Sequence, residues 1–183
     1  MIQEKTINDI LDGDIDCFAL IVNEYQQAIF GYIYRMVKNY QDAEDLTQDT
    51  FTKAYRNLGT LKDVMGLKAW LYQIAYRTTI NYIRKRQLKS LNVFASPEQV
   101  NALVYSVDFL QEEFGELATK IFNSLSYKEN TLLTLRVIEE MSYEEISVIM
   151  SVSASALRKR YERLIVKLSK TFSVERELGY EIG

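Results

Sequence analysis

The chain has 183 residues, 48% of them hydrophobic and 26% charged, with a formal net charge of −3. That balance suits one or two globular domains and excludes disorder along the whole length. With no histidine, one cysteine (Cys17), one proline (Pro97) and seven glycines, the sequence excludes histidine-dependent catalysis, an internal disulfide and a turn-rich β-fold.

In chain order, the pattern is helical almost throughout. A short helix is expected over 4–11. Ile15, Phe18, Val22, Tyr25, Ile29, Tyr32 and Met36 then step by three and four residues, which predicts a long amphipathic helix with Asp14 as its N-cap. Ala43, Leu46, Thr50, Phe51, Ala54 and Leu58 mark a second helix, ended by Gly59. After a polar loop, Leu67, Leu71, Ile74, Ala75, Thr78 and Tyr82 predict a third helix running to about Lys89. Residues 90–113 contain Pro97, no basic residue and little periodicity, so they are expected to be a flexible acidic linker. Beyond it, Phe114, Leu117, Ile121 and Leu125 form one apolar stripe. Ser126-Tyr127-Lys128-Glu129 and Ser142-Tyr143-Glu144-Glu145 are capping boxes, each opening a helix. The turn Ser151-Val152-Ser153 leads to a last helix with the stripe Leu157, Tyr161, Leu164 and Leu168. Residues 171–183 are expected to fray. The fold class is therefore all-α: two small helical domains, 1–89 and 114–170, with the linker 90–113 between them and a tail at 171–183.

Charge is distributed unevenly. Residues 1–60 hold 5 basic and 10 acidic side chains, whereas 61–91 hold 7 basic and 1 acidic, and 153–170 hold 6 basic and 1 acidic. Local patches govern phosphate attraction, because screening acts over about 10 Å at moderate salt. The first basic stretch puts Gln73, Arg77, Asn81, Arg84 and Lys85 on one face of the third helix, with Trp70, Tyr72 and Tyr76 nearby. Cations beside aromatics suit a single strand with unstacked bases; taken alone, the pattern favours a solvated cationic face over core aromatics. The second stretch belongs to a helix of about eight residues, a three-residue turn and a longer basic helix, the outline of a helix-turn-helix. Ser155, Lys159, Glu162 and Arg163 project away from its apolar stripe, with Arg158 at the edge, as side chains that read a major groove would. The acidic run 42–49 complements a helix dipole and also offers a docking face for a basic partner. No carboxylate cluster, glycine-rich loop or serine elbow supports catalysis, so no enzyme activity, catalytic residue, cofactor or metal is expected. No stretch approaches the 18 apolar residues a membrane helix needs, and Met1-Ile2-Gln3-Glu4-Lys5 lacks a secretory pattern, so a cytoplasmic location without membrane insertion is expected.

Taken together, the motifs resemble one family. Residues 42–55 are similar to the core-binding helix of bacterial sigma factors. Ala69-Trp70-Leu71-Tyr72-Gln73-Ile74-Ala75, about 15 residues later, resembles the promoter-reading helix of the extracytoplasmic-function (ECF) class. Ser142-Tyr143-Glu144-Glu145-Ile146 followed by 158–163 resembles that class's C-terminal helix-turn-helix. The resemblance implies an alternative sigma factor that binds core RNA polymerase and promoter DNA. Asp45, Gln48 and Asp49 would dock on the polymerase. Lys62, Asp63, Gln73, Arg77, Asn81, Arg84 and Lys85 would serve the melted −10 element. Ser155, Arg158, Lys159, Glu162 and Arg163 would read the −35 duplex. It also implies an anti-sigma factor, often membrane-bound. The chain departs from the family's common pattern at Arg77, Asn81, Ser147, Ser151 and Ala156, changes that bear on promoter sequence rather than on class. Two other readings of the residues remain open: a stand-alone helix-turn-helix regulator, and a helical protein-interaction module. The regulator needs a dimer interface, and no spare apolar face provides one, so a monomer is expected when the chain is free.

Overall fold

The computed structural model describes residues 15–61, 66–90 and 115–177. The expected helix over 4–11, the Asp14 cap, Lys62, Asp63, Phe114 and the linker beyond Ser90 lie outside them, as does the side chain of Cys17. Among the described residues there are helices and turns and no strand. The helices are α1 (Ile15–Val37), α2 (Tyr40–Arg56), α3 (Leu67–Ser90), α4 (115–124), α5 (Tyr127–Leu133), α6 (Tyr143–Met150) and α7 (Ala154–Glu177).

Each boundary has a local cause. Asn39 caps α2 by accepting the Asp42 N–H at 2.8 Å. That helix ends at Arg56, where the Asn57 amide donates to the Lys53 carbonyl at 2.8 Å. Gly59, the expected terminator, sits instead within a 3-10 turn over Leu58–Thr60. Both capping boxes form: the Ser126 hydroxyl accepts from the Glu129 N–H and the Ser142 hydroxyl from the Glu145 N–H, while each glutamate accepts from its serine N–H. Ser153 accepts the Ala156 N–H at 3.4 Å and starts α7. That helix continues past Lys170 to Glu177, so 171–177 is helical where fraying was expected, and 178–183 lie outside the described residues.

Glycine scarcity shows at three helix ends. Lys38, Glu140 and Ser151 occupy the left-handed region with φ of 55°, 56° and 54°, a conformation costly for residues with a Cβ. Glu140 follows a π-turn over Thr134–Ile138, in which the Glu139 N–H reaches the Thr134 carbonyl at 3.0 Å. Ser151 ends α6, the first helix of the helix-turn-helix.

Packing is built around α3. Leu67, Leu71, Ala75 and Thr78 are buried, as the apolar stripe predicts, but so are Tyr72, Thr79 and Ile80. At 100° per residue these positions cover more than half of the helix circumference. The reason is that α1 and α2 pack on one flank of α3 and α6 on another. α1 also meets α5, and α5 and α6 meet α7, so one apolar cluster runs through both groups of helices. In α4 the buried side chains are Thr119 and Phe122, whereas Leu117 is 43% exposed. The expected Leu117 stripe is therefore turned by one position, because α4 packs beside the end of α1. There the fully buried Asn130 amide joins the carbonyls of Arg35 and Phe122, each at 3.0 Å. The Arg35 guanidinium, 2% exposed, lies 5.4 Å from the centre of the Phe122 ring. It folds back over Gly31, where a Cβ would meet it at 3.3 Å.

Two stability measurements follow. Ser151→Gly relieves a left-handed serine, and urea unfolding should show a gain of about 0.5–1 kcal/mol. At Glu129, partial burial raises the carboxyl pKa, but hydrogen bonds from Lys167 and Ser126 outweigh it and hold the group at about 2. A folded pKa below the unfolded one adds stability that is complete above about pH 4.5 and is lost as pH falls toward about 2. Glu129→Gln keeps a capping side chain without the charge, so it should flatten the acid limb of stability across that window, read from urea midpoints.

Candidate functional site

Three surfaces carry the residues singled out from the sequence. The first is a groove of about 850 Å³ between α1 and α2. Phe18, Val22, Phe30, Phe51 and Tyr55 supply its apolar lining, and Glu44, Thr47 and Gln48 its polar edge. Phe18 and Tyr55 meet edge to face with ring centres 5.2 Å apart. Asp45 and Asp49 are exposed one helical step away from Glu44 and Gln48. Asp49 pairs with Lys53 at 2.7 Å. An apolar groove beside a row of carboxylates and amides suits an amphipathic helix with a basic rim. Asp45, Gln48 and Asp49 are thus brought to one side of one helix. The apolar half of this surface was not legible, because Phe18 and Phe51 lie on core stripes; the exposed ring of Tyr55, one turn beyond Phe51, is the signal that marks it.

The second surface lies on α3. Arg77, Asn81, Arg84 and Lys85 are exposed along one strip, as their spacing requires. Gln73 begins the strip but is half-buried, its amide donating to the Val148 carbonyl of α6 at 2.8 Å. Arg86, at the same end as Lys85, pairs with Asp42 at 3.1 Å and ties the start of α2 to the end of α3. The aromatics divide. Tyr72 is fully buried and packs edge to face on Tyr32 at 5.2 Å, so it is core and no stacking platform. Trp70 is half-buried and donates its indole N–H to the Thr60 hydroxyl at 3.1 Å. Burial raises the Tyr76 pKa, with Tyr127, Arg84 and Arg160 close enough to act on it. Lys62 and Asp63 precede this helix, outside the described residues.

The third surface is the outer face of α7. Ser155, Arg158, Lys159, Glu162 and Arg163 are all exposed, while Leu157 and Leu164 face inward. α6, the three-residue turn and α7 form a helix-turn-helix of ordinary proportions. Arg158 lies 5.4 Å from the centre of the Tyr143 ring, which holds the guanidinium at the edge of the face. Sequence spacing missed that Lys128, Arg160 and Lys167 stand with Arg163 around a shallow hollow of about 480 Å³. Lys128 comes from α5, so only the tertiary fold adds it to this cationic surface. Within the hollow, Lys167 pairs with Glu129 at 2.8 Å. None of the helices among the described residues is long and apolar enough to cross a membrane.

Comparison with known proteins adds an independent line. The Sigma-70 region 2 family model matches residues 21–89, and the Sigma-70, region 4 model matches 116–168. The chain is 30% identical to the ECF RNA polymerase sigma-E factor of Escherichia coli, over 88% of this chain and 89% of that one. It is 29% identical to the ECF RNA polymerase sigma factor SigW of Bacillus subtilis, over 89% and 92%. Identity is also 29% with the RNA polymerase sigma-H factor of Pseudomonas aeruginosa, over 88% and 89%. The fold is similar to that of the sigma factor RpoE in complex with the anti-sigma factor NepR from Bartonella quintana, with a TM-score of 0.68 and 23% identity, covering 87% of this chain and 99% of that one. CnrH in complex with the cytosolic domain of CnrY also gives 0.68, at 19% identity and over 93% and 97%.

Because the side chains of Asp45 and Arg163 are exposed, replacing them should leave the fold intact. Asp45→Arg and Arg163→Ala should each change the unfolding free energy by no more than about 0.5 kcal/mol, measured by urea titration.

Proposed function

The chain belongs to the sigma-70 family of bacterial RNA polymerase sigma factors, in its ECF class, and from that membership we propose how its surfaces share the work. It binds core RNA polymerase and directs promoter-specific transcription initiation, reading the −35 element as duplex and the −10 element as melted DNA. Initiation factors of this family perform no catalysis, and this chain has no covalent step of its own. The observation that carries the reading is the order of the two matched regions, 21–89 then 116–168, with a helix-turn-helix in the second.

Docking is assigned to the α1/α2 groove and to Asp45, Gln48 and Asp49 beside it. Apolar contact in the groove gives affinity, and the carboxylates give orientation toward a basic partner. The unit over 1–89 then holds the −10 single strand along α3. Arg77, Arg84 and Lys85 attract phosphates, Gln73 and Asn81 offer donors and acceptors to bases, and Lys62 and Asp63 belong to the loop that receives an unstacked base. Taking a base out of the stack costs a few kcal/mol, which these contacts must offset. The unit over 114–170 places α7 in the major groove of the −35 element. Ser155, Lys159, Glu162 and Arg163 face base edges and Arg158 the flanking phosphate, while Lys128, Arg160 and Lys167 add positive potential. The linker 90–113 spans the distance between the two elements.

An anti-sigma factor is the partner expected to hold the chain inactive. Two solved neighbours with this fold are complexed, one with an anti-sigma factor and one with the cytosolic domain of CnrY. A cytoplasmic, monomeric chain fits this role.

Two substitutions separate the surfaces. Asp45→Arg should weaken binding to core polymerase at least about tenfold and leave contacts to −35 duplex unchanged, compared by titrating labelled core and labelled promoter DNA. Arg163→Ala should weaken duplex binding by about 1–3 kcal/mol if its guanidinium meets a base edge, with core binding at its original strength. Normal assembly of the Asp45→Arg holoenzyme would remove the docking assignment.

A further inference from the structure

One cation of α2 stands between the docking face and the polar strip of α3. Lys53 donates its ammonium to the Asp49 carboxylate at 2.7 Å and to the Thr78 hydroxyl of α3 at 3.2 Å. The charged side chains of Lys53 and Asp49 are 44% and 48% exposed, so a partner can reach either. Thr78 is buried, follows Arg77 in sequence and lies one turn from Asn81, which sets the ammonium on the α2 edge of the strip. Asp49 belongs to the row of carboxylates and amides beside the α1/α2 groove. A second ion pair, Arg86 with Asp42 at 3.1 Å, is built differently: it bridges the end of α3 to the start of α2, with the Tyr82 hydroxyl hydrogen-bonded to both members. Neither of its members is assigned to docking, so that pair is a strut. Lys53 is the cation that the two working surfaces share.

We infer that Lys53 is a further contact for the melted strand and that docking releases it: a basic group of the polymerase takes the Asp49 carboxylate, and the freed ammonium, still held on α3 by Thr78, takes a backbone phosphate beside Arg77. The inference rests on the sigma-factor reading for what the two surfaces bind. While Asp49 pairs with Lys53 the two charges cancel, and a phosphate nearing the ammonium also nears a carboxylate. Once Asp49 is engaged elsewhere, the same place offers a full positive charge. The Thr78 hydrogen bond does not involve Asp49, so it keeps the ammonium in position through the exchange. The exchange meets little resistance, because an exposed pair of this i,i+4 spacing biases an equilibrium only about twofold. The group bound is a phosphate rather than a base edge, since an ammonium is a point charge without the planar fork that reads bases. By linkage, binding at either surface strengthens binding at the other by the same factor.

Salt dependence tests the exchange, because each phosphate held on a single strand adds about 0.7 to the steepness with which log affinity falls against log salt. Full-length chain, free and with saturating core polymerase, is titrated onto a labelled fork DNA whose single-stranded arm carries the −10 element of a promoter mapped by its transcript start. Lys53→Gln keeps a donor for Thr78 without the charge. In the holoenzyme it should lower the steepness by about 0.7 and weaken binding about fivefold at about 0.1 M salt. Lys53→Arg should restore both, a rescue that a merely structural lysine would not require. In the free chain Lys53→Gln should lower the steepness by less than half as much. Asp49→Asn should raise the steepness of the free chain, and adding Lys53→Gln should cancel the gain. A Lys53→Gln holoenzyme of unchanged steepness would overturn the contact. A loss as large in the free chain as in the holoenzyme, or an Asp49→Asn gain that persists without Lys53, would overturn the exchange; each of these failures leaves the sigma-factor reading standing. Holoenzyme that binds the fork no better than core alone would defeat that reading, and the inference with it.

Discussion

The structure depends on one helix being buried from two directions. Tyr72 of α3 packs on Tyr32 of α1 and Thr78 meets Lys53 of α2, while Tyr76 lies near Tyr127 and Arg160 of the C-terminal helices. Burying a large side chain is worth about 1.5–3 kcal/mol, so each flank contributes substantially, and neither group of helices is packed independently of the other. What remains of α3 is a narrow exposed strip, and the sequence puts its cations there. Packed on α1 and α2, the helix presents Arg77, Asn81, Arg84 and Lys85 in one row, as a surface that must hold a flexible strand requires.

Electrostatics divides the molecule along the same lines. A net charge of −3 conceals basic stretches in α3 and α7 and an acidic start to α2. The fold keeps these apart at the working surfaces and joins them where it needs structure. Asp42 meets Arg86 and Glu129 meets Lys167. Each of these contacts ties a helix N-terminus, where negative charge is favoured, to a cation on a neighbouring helix. Asp45 and the outer cations of α7 are left to solvent, and so to partners.

Much of this was legible in the sequence because it is local. The two capping boxes, the Ser151–Ser153 turn and the α7 stripe are decided within a few residues, and they form as read. The exposed positions of Asp45, Arg77, Asn81, Arg84 and Arg163 follow from helical spacing alone. What escaped is what depends on a second element. Periodicity reports one buried face, so a helix buried on two, such as α3, looks like an amphipathic helix with extra tyrosines; Tyr72 therefore left two readings open, stacking platform or core, and its full burial decides for core. Leu117 read as core because its spacing to Ile121 is helical, whereas the partner of α4 is the end of α1 and selects Phe122. The α1/α2 groove was invisible for the same reason: Phe18 and Phe51 satisfy a core stripe whether or not a cleft opens between them. Nor does spacing reveal that the Gln73 amide is held by a carbonyl 75 residues away.

The central claim is that this chain makes polymerase start at particular promoters. Its most direct test is transcription in vitro with purified chain, bacterial core polymerase and fragmented genomic DNA of its own host, the transcript ends being sequenced. The account predicts discrete starts that vanish without the chain and share two spaced upstream elements. Folded protein that neither binds core nor changes the pattern of starts would contradict it.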